Sequence, residues 1–186
     1  MVVTSGSKEI HGLVANKNSY NSIKLRWYEA NNAKEYKIYR ATKKTEKYSL
    51  IKTTKSTKYI DKSLKTGTAY YYKIVAVSGG TTLDTSKIVG AKPTLTKPAL
   101  TAKKKTATSI TNSWKQIAGA NGYEIYIEKG IGGYTKVKTI TKNTTISYTK
   151  TGLEKGQTYR FKVRAYKNVG SKKVYSSYSA VKTVKL

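Results

Sequence analysis

The sequence predicts an all-β protein made of two Greek-key β-sandwiches in tandem, seven strands each, and three observations carry that expectation. Tyr159, Phe161, Val163 and Ala165 alternate with Arg160, Lys162 and Arg164. Such a period of two marks a strand with one face buried and the other in water. The chain also repeats itself. Trp27 returns as Trp114, 87 residues on, and Ile23, Ala33, Tyr36, Ile38 and Tyr39 return at the same offset as Ile110, Ala120, Tyr123, Ile125 and Tyr126. Tyr59, Leu64, Gly67, Tyr70, Tyr72 and Ala76 return as Tyr148, Leu153, Gly156, Tyr159, Phe161 and Ala165 at an offset of 89. Offsets that change only between strands are what loop insertions produce. Finally, 17 tyrosines and recurrent Val, Ile and Thr suit pleated surfaces, whereas no stretch keeps apolar residues at helical spacing for three turns.

Taken in order, the first copy reads as strands near residues 12–16, 21–28, 35–41, 47–54, 57–61, 69–77 and 82–90. Turn residues at Asn31-Asn32, Lys43-Lys44-Thr45, Leu64 to Gly67 and Ser78-Gly79-Gly80 separate them. The second copy reads as strands near 99–103, 108–116, 122–129, 134–141, 145–149, 158–167 and 173–184, with a glycine-rich hairpin loop over 129–133. Both prolines, Pro93 and Pro98, fall between the copies. Proline donates no ladder hydrogen bond and extends the residue before it. The expected domains are therefore 1–92 and 93–186, joined end to end by a semi-stiff linker over 91–98, with the first nine or so residues unassigned and flexible.

These motifs resemble those of fibronectin type III domains, which have an immunoglobulin-like fold. The shared features are a tryptophan ending the second strand, Tyr-x-Ile on the third, and Leu-x-x-Gly-x-x-Tyr-x-aromatic-x-aliphatic-x-Ala into the sixth. Trp27, Trp114, Tyr36, Tyr123, Tyr70 and Tyr159 are the expected core. Tyr70 and Tyr159 look like that family's tyrosine-corner residue, whose hydroxyl bonds back to the turn backbone. Tyr36-Lys-Ile-Tyr-Arg40 and Gly122-Tyr-Glu-Ile-Tyr126 are similar to versions found in secreted and surface proteins of bacteria. Two departures stand out: Glu35 replaces the glycine seen at Gly122, and the second copy lacks the acid found at Asp61.

Charge is the outlier in composition. Thirty-seven basic residues, all but four of them lysine, face 9 acids, for a net charge of +28. Residues 1–92 carry +12 and residues 93–186 carry +16, so the excess belongs to both copies. A cationic surface of this kind attracts polyanions and also keeps a protein soluble. The scarcity of arginine, whose planar fork reads phosphates and guanine bidentately, argues against nucleic acid.

Little supports catalysis. His11 is the only histidine and lies outside the repeated motif, and without cysteine there is neither a thiol nucleophile nor a thiolate metal site. Glu124 and Glu128 share the outer face of one strand, but their backbones are about 13 Å apart at roughly 3.3 Å per residue. That spacing suits solvated partners of nearby lysines better than a glycosidase pair. No run of acids suggests a metal site, Gly130 to Gly133 lacks the Gly-Lys-Ser/Thr of a phosphate loop, and no cofactor is expected. No apolar run approaches the roughly 20 residues of a membrane-spanning helix.

Candidate contacts for a polyanion or glycan are Lys103, Lys104, Lys105, Lys172, Lys173, Tyr126, Arg160, Arg164 and Tyr166. Tyr39, Tyr71, Tyr126 and Tyr166 are expected on an outer face beside Lys37, Lys73, Arg40, Arg164 and Lys167, where aromatic rings and cations together would stack on sugars. The family resemblance implies a non-catalytic spacer or accessory segment of a larger exported protein of a Gram-positive bacterium, such as an adhesin or a polysaccharide-degrading enzyme. Its partners would be other domains of the same polypeptide and anionic cell-wall polymers. The alternative is a dedicated binding module for an anionic glycan, teichoic acid or host matrix component.

Overall fold

The computed structural model describes residues 10–130 and 132–186. The N-terminal segment expected to be flexible and Ile131 of the hairpin loop lie outside those residues. No helix occurs among the described residues, and the chain divides into two compact units, Met1–Pro93 and Thr94–Leu186.

The first unit contains β1 (Val14–Ser19), β2 (Ser22–Arg26), β3 (Glu35–Ala41), β4 (Ser49–Thr54), β5 (Lys58–Asp61), β6 (Tyr70–Ser78), β7 (Thr81–Thr85) and β8 (Val89–Ala91). One antiparallel sheet has the order β1-β2-β5. The other runs β4-β3-β6-β7, with β8 also on β6. The second unit repeats this plan with β9 (Thr101–Thr106), β10 (Ser109–Ser113), β11 (Gly122–Lys129), β12 (Thr135–Ile140), β13 (Ser147–Lys150), β14 (Thr158–Val169), β15 (Lys172–Tyr175) and β16 (Lys182–Lys185). Its sheets are β9-β10-β13 and β12-β11-β14-β15, with β16 on β14.

The seventh strand of each sandwich is thus in two pieces that pair with one neighbour. Serines cause the break. Ser86 N–H donates to Ile74 O at 2.9 Å while its hydroxyl accepts the Ile74 N–H at 2.9 Å. Ser179 treats Val163 the same way, and Ser176 repeats the pattern on Ala165. A hydroxyl takes the place of a ladder carbonyl, so the strand sidesteps without leaving a buried N–H unpaired.

Alternating side chains fill the space between the sheets. Ile23, Leu25, Ile38, Tyr72, Ile74 and Ala76 are fully buried in the first unit, as are Ile110, Tyr123, Ile125, Phe161, Val163 and Ala165 in the second. Trp27 meets Tyr36 edge-on at 5.6 Å, and Trp114 meets Tyr123 at 5.1 Å. The tyrosine corner forms in both units: Tyr70 Oη accepts the Lys65 N–H at 3.0 Å and Tyr159 Oη accepts the Glu154 N–H at 2.9 Å. Gly67 and Gly156, both at φ 82°, turn these loops so that their N–H groups reach the carbonyls of Pro93 and Leu186. Only glycine takes that backbone conformation without a steric cost. The repeated Leu-x-x-Gly-x-x-Tyr phrase is therefore a hydrogen-bonding device.

Two departures concern polar groups inside the sandwiches. Arg40, expected on the outer face, lies on the inner one: it pairs across β6 with Tyr72, in line with Ile38 and Tyr36. There it grips Asp61 with two bonds of 2.9 and 3.1 Å, and Tyr72 Oη donates to Asp61 at 2.8 Å. Burial and the adjacent carboxylate both push the Tyr72 phenol up. At the equivalent positions the second unit has Ile127, Lys150 and Phe161, so no hydroxyl or guanidinium there needs an acid. The second departure is Asn112, fully buried where the first unit has Leu25; neither Nδ2 nor Oδ1 has a hydrogen-bond partner.

Candidate polyanion- and glycan-binding surface

The outer face of the sheet formed by β12, β11, β14 and β15 gathers most of the candidate residues. Pleating sends Arg160, Lys162, Arg164 and Tyr166 of β14 outward, and the register sets them opposite Glu128, Tyr126, Glu124 and Gly122 of β11. Two arginines thus face two acids and Lys162 faces a tyrosine across one strand pair, the geometry in which cross-strand partners interact most strongly.

Glu124, expected to be a solvated partner of lysines, is instead 1% exposed at the centre of this face. One carboxylate oxygen accepts from Arg164 Nη2 at 2.7 Å, Arg164 Nε at 3.1 Å and Tyr126 Oη at 2.9 Å. The other accepts from Tyr175 Oη at 3.3 Å and faces Lys173 at 3.5 Å and Lys136 at 3.7 Å. Burial by itself would raise the carboxyl, but the bonds from Arg164 and Tyr126 and the charges of Arg164 and Lys136 outweigh it and hold it at about 2. Burial, a bond with Tyr178 and the Glu124 charge raise the Tyr126 phenol. A carboxylate ionised at neutral pH and surrounded by donors has no proton to give, so this cluster is a fixed ion-pair network.

Around it runs a ladder of cations and rings. Arg164 lies over Tyr175 at 3.6 Å, Tyr178 at 5.0 Å and Tyr126 at 5.4 Å, and Lys173 over Tyr166 at 4.2 Å. Lys162 sits 3.8 Å from the Tyr134 ring centre and 4.4 Å from that of Tyr178. These separations are within cation–π range. Arg160, further along β14, pairs with Glu128 at 3.3 Å and with the Gly130 carbonyl at 2.8 Å.

The structure brings together Tyr126, Arg164, Tyr166 and Lys173, with Arg160 at one end of the face. Tyr166 is only 3% exposed and donates to the Ile140 carbonyl, so its ring supports the face more than it presents a surface. Lys172 is exposed at the start of β15. Lys103, Lys104 and Lys105 are exposed on β9, in the other sheet of the sandwich, and do not join the cluster. Sequence reasoning missed Tyr134, Lys162, Tyr175 and Tyr178. Lys162 was visible in the alternation around Arg164. The Tyr175-Ser-Ser-Tyr178-Ser run could have been found only by anticipating the serine-broken strand. His11 is exposed, and no three His, Cys, Asp or Glu residues converge on a metal position among the described residues. Among the described residues no helix is long and apolar enough to cross a membrane.

Comparison with known proteins agrees with this architecture. The fibronectin type III family profile matches residues 91–182. A two-domain fibronectin type III segment of chicken tenascin superposes with a TM-score of 0.55 at 20% identity, covering 94% of this chain and 98% of its own. Exoglucanase B of Cellulomonas fimi is 27% identical over 163 residues, covering 80% of this chain but only 14% of the exoglucanase. The chain thus corresponds to about a seventh of that relative's length. The second domain is thus matched to the fibronectin type III family, the first repeats its motifs and topology, and the chain has the fold of two such domains in tandem.

Proposed function

We propose that the chain is a non-catalytic segment of a larger exported bacterial protein, acting as a spacer or accessory unit beside domains that do the chemistry. Two observations support this reading: the tyrosine-corner residues of both repeats serve the loop backbone, and the exoglucanase likeness covers only a small part of that enzyme. A polysaccharide-degrading parent fits that likeness, and an extracellular setting fits such a parent. The net charge of +28 would keep the segment close to anionic wall polymers such as teichoic acid.

The test separates the segment from its parent. The isolated chain is expected to show no turnover of soluble cello-oligosaccharides, and a parent enzyme lacking the segment is expected to retain turnover of the same substrates. Measurable hydrolysis by the isolated chain would overturn the reading. A second reading, a dedicated binding module, is favoured by the tyrosine and cation ladder on β14. Its signature is retention on purified cell walls that falls steeply with salt.

A further inference from the structure

We propose that a lysine held between two tyrosine rings on the outer face of each domain is a contact point for an acidic polysaccharide, meaning a chain of pyranose rings bearing carboxylates. In the second domain this is Lys162 with Tyr134 and Tyr178, at 3.8 and 4.4 Å. In the first it is Lys73 with Tyr39 and Tyr48, at 5.6 and 5.3 Å. Lys73 and Lys162 occupy the same place in the repeat, opposite Tyr39 and Tyr126 in register. The proposal goes beyond the spacer reading, which stands without it.

What singles out these two lysines is that each lies over two tyrosine rings with no acid beside it among the described residues. Arg160 and Arg164, on either side of Lys162 along β14, are paired with Glu128 and Glu124. Among the described residues neither Lys162 nor Lys73 has a carboxylate in ion-pair range. No carboxylate among the described residues competes with a ligand for either ammonium, and the rings beside it are half-exposed. An ammonium takes a carboxylate, while a tyrosine face takes the C–H face of a sugar ring. The paired requirement selects a charged sugar. A glycerol phosphate chain satisfies the lysine alone and a neutral glucan the ring alone. Net charges of +12 and +16 on the two halves add attraction for a polyanion.

The test measures binding of the full chain to polygalacturonate by calorimetry at low and moderate salt. Its methyl ester, poly(glycerol phosphate) and single-stranded DNA serve as comparison probes. Lys162→Met and Lys73→Met keep the stem against the rings and remove the charge. Each is expected to weaken binding about threefold, the double variant about tenfold, with the salt slope falling by about one per site. Lys142→Met, at an exposed lysine outside the ladder, is expected to change nothing, and methyl esterification to abolish binding. Equal losses at Lys142 and Lys162 would overturn the site in favour of diffuse charge. Tighter binding of DNA or of poly(glycerol phosphate) would overturn the sugar as partner. No binding of polygalacturonate would overturn the proposal and leave the spacer reading, which rests on the turnover assay, untouched. Urea midpoints unchanged from the parent chain exclude misfolding of the methionine variants.

Discussion

Replacing Asn112 with leucine is expected to stabilise the second domain. Asn112 is fully buried on β10, paired in register with Tyr148 and Ala102, as Leu25 on β2 is paired with Tyr59 and Ala15. Its amide nitrogen and oxygen have no partner, and an unsatisfied buried polar group costs about 1–3 kcal/mol. Removing the amide recovers about 2 kcal/mol by that measure, and apolar burial of the leucine adds about 2 more. Leucine is larger, so crowding takes back about 2 kcal/mol. The net gain is about 2 kcal/mol. Each domain has one tryptophan, so a Trp27→Phe background leaves Trp114 as sole reporter of the second domain. With a urea slope of about 1 kcal/mol/M, the Trp114 midpoint should rise by about 2 M. The reciprocal Leu25→Asn, followed through Trp27, should cost the first domain about 4 kcal/mol, since it forfeits packing and buries an orphan amide. A Trp114 midpoint that stays put or falls in Asn112→Leu would refute the reasoning, because it would mean the amide is satisfied in solution.

Three further outcomes follow from named contacts. Glu124 is held at about 2 in the folded second domain, against about 4.3 when unfolded, so its contribution is complete above the unfolded value and lost as pH falls toward 2. That contribution is about 3 kcal/mol, and Glu124→Gln should flatten the fall of the Trp114 urea midpoint between pH 5 and 2 (roughly the range spanned by the two values); an unchanged acid slope would count against it. Asp61→Ala should destabilise the first domain by about 3–5 kcal/mol by stranding Arg40 and Tyr72. Combining Arg40→Ile, Asp61→Lys and Tyr72→Phe, the residues of the second domain, should recover most of that loss of Trp27 midpoint. Gly122→Ala should cost the second domain at least about 2 kcal/mol in the same titration, because a Cβ there falls 1.9 Å from the Ile140 carbonyl oxygen.

How much could be read from the sequence depends on which residues touch backbone. Trp27, Tyr36, Tyr70 and their counterparts recur because each fills the core or closes a loop, and a spacing of 87 to 89 residues exposes such duties without coordinates. The serine breaks at Ser86, Ser176 and Ser179 were hidden because a hydroxyl acting as a ladder acceptor looks like any strand serine. Glu124 was misjudged for a related reason. Alternation correctly gave its face, but burial there is produced by Arg164, Tyr126 and Tyr175 folding over it from three strands. Periodicity reports which side of a sheet a residue is on and is silent about what covers that side.

The two copies then separate scaffold from solution. At the tyrosine corners and at Ser86/Ser179 a side chain satisfies backbone, and both copies keep it. Where it satisfies another side chain, the copies diverge: the first buries Asp61 with Arg40 inside the sandwich, and the second buries Glu124 with Arg164 outside it. Each domain can carry one buried acid only where a guanidinium is at hand, because an unpaired buried charge is far costlier than a paired one. Lys73 and Lys162 fit neither group. Among the described residues neither ammonium pairs with an acid, yet each holds the same place between two rings in both domains. The lysine recurs with one corresponding ring, Tyr48 in the first domain and Tyr134 in the second, and such a recurrence outside the core is where a shared external partner would leave its mark.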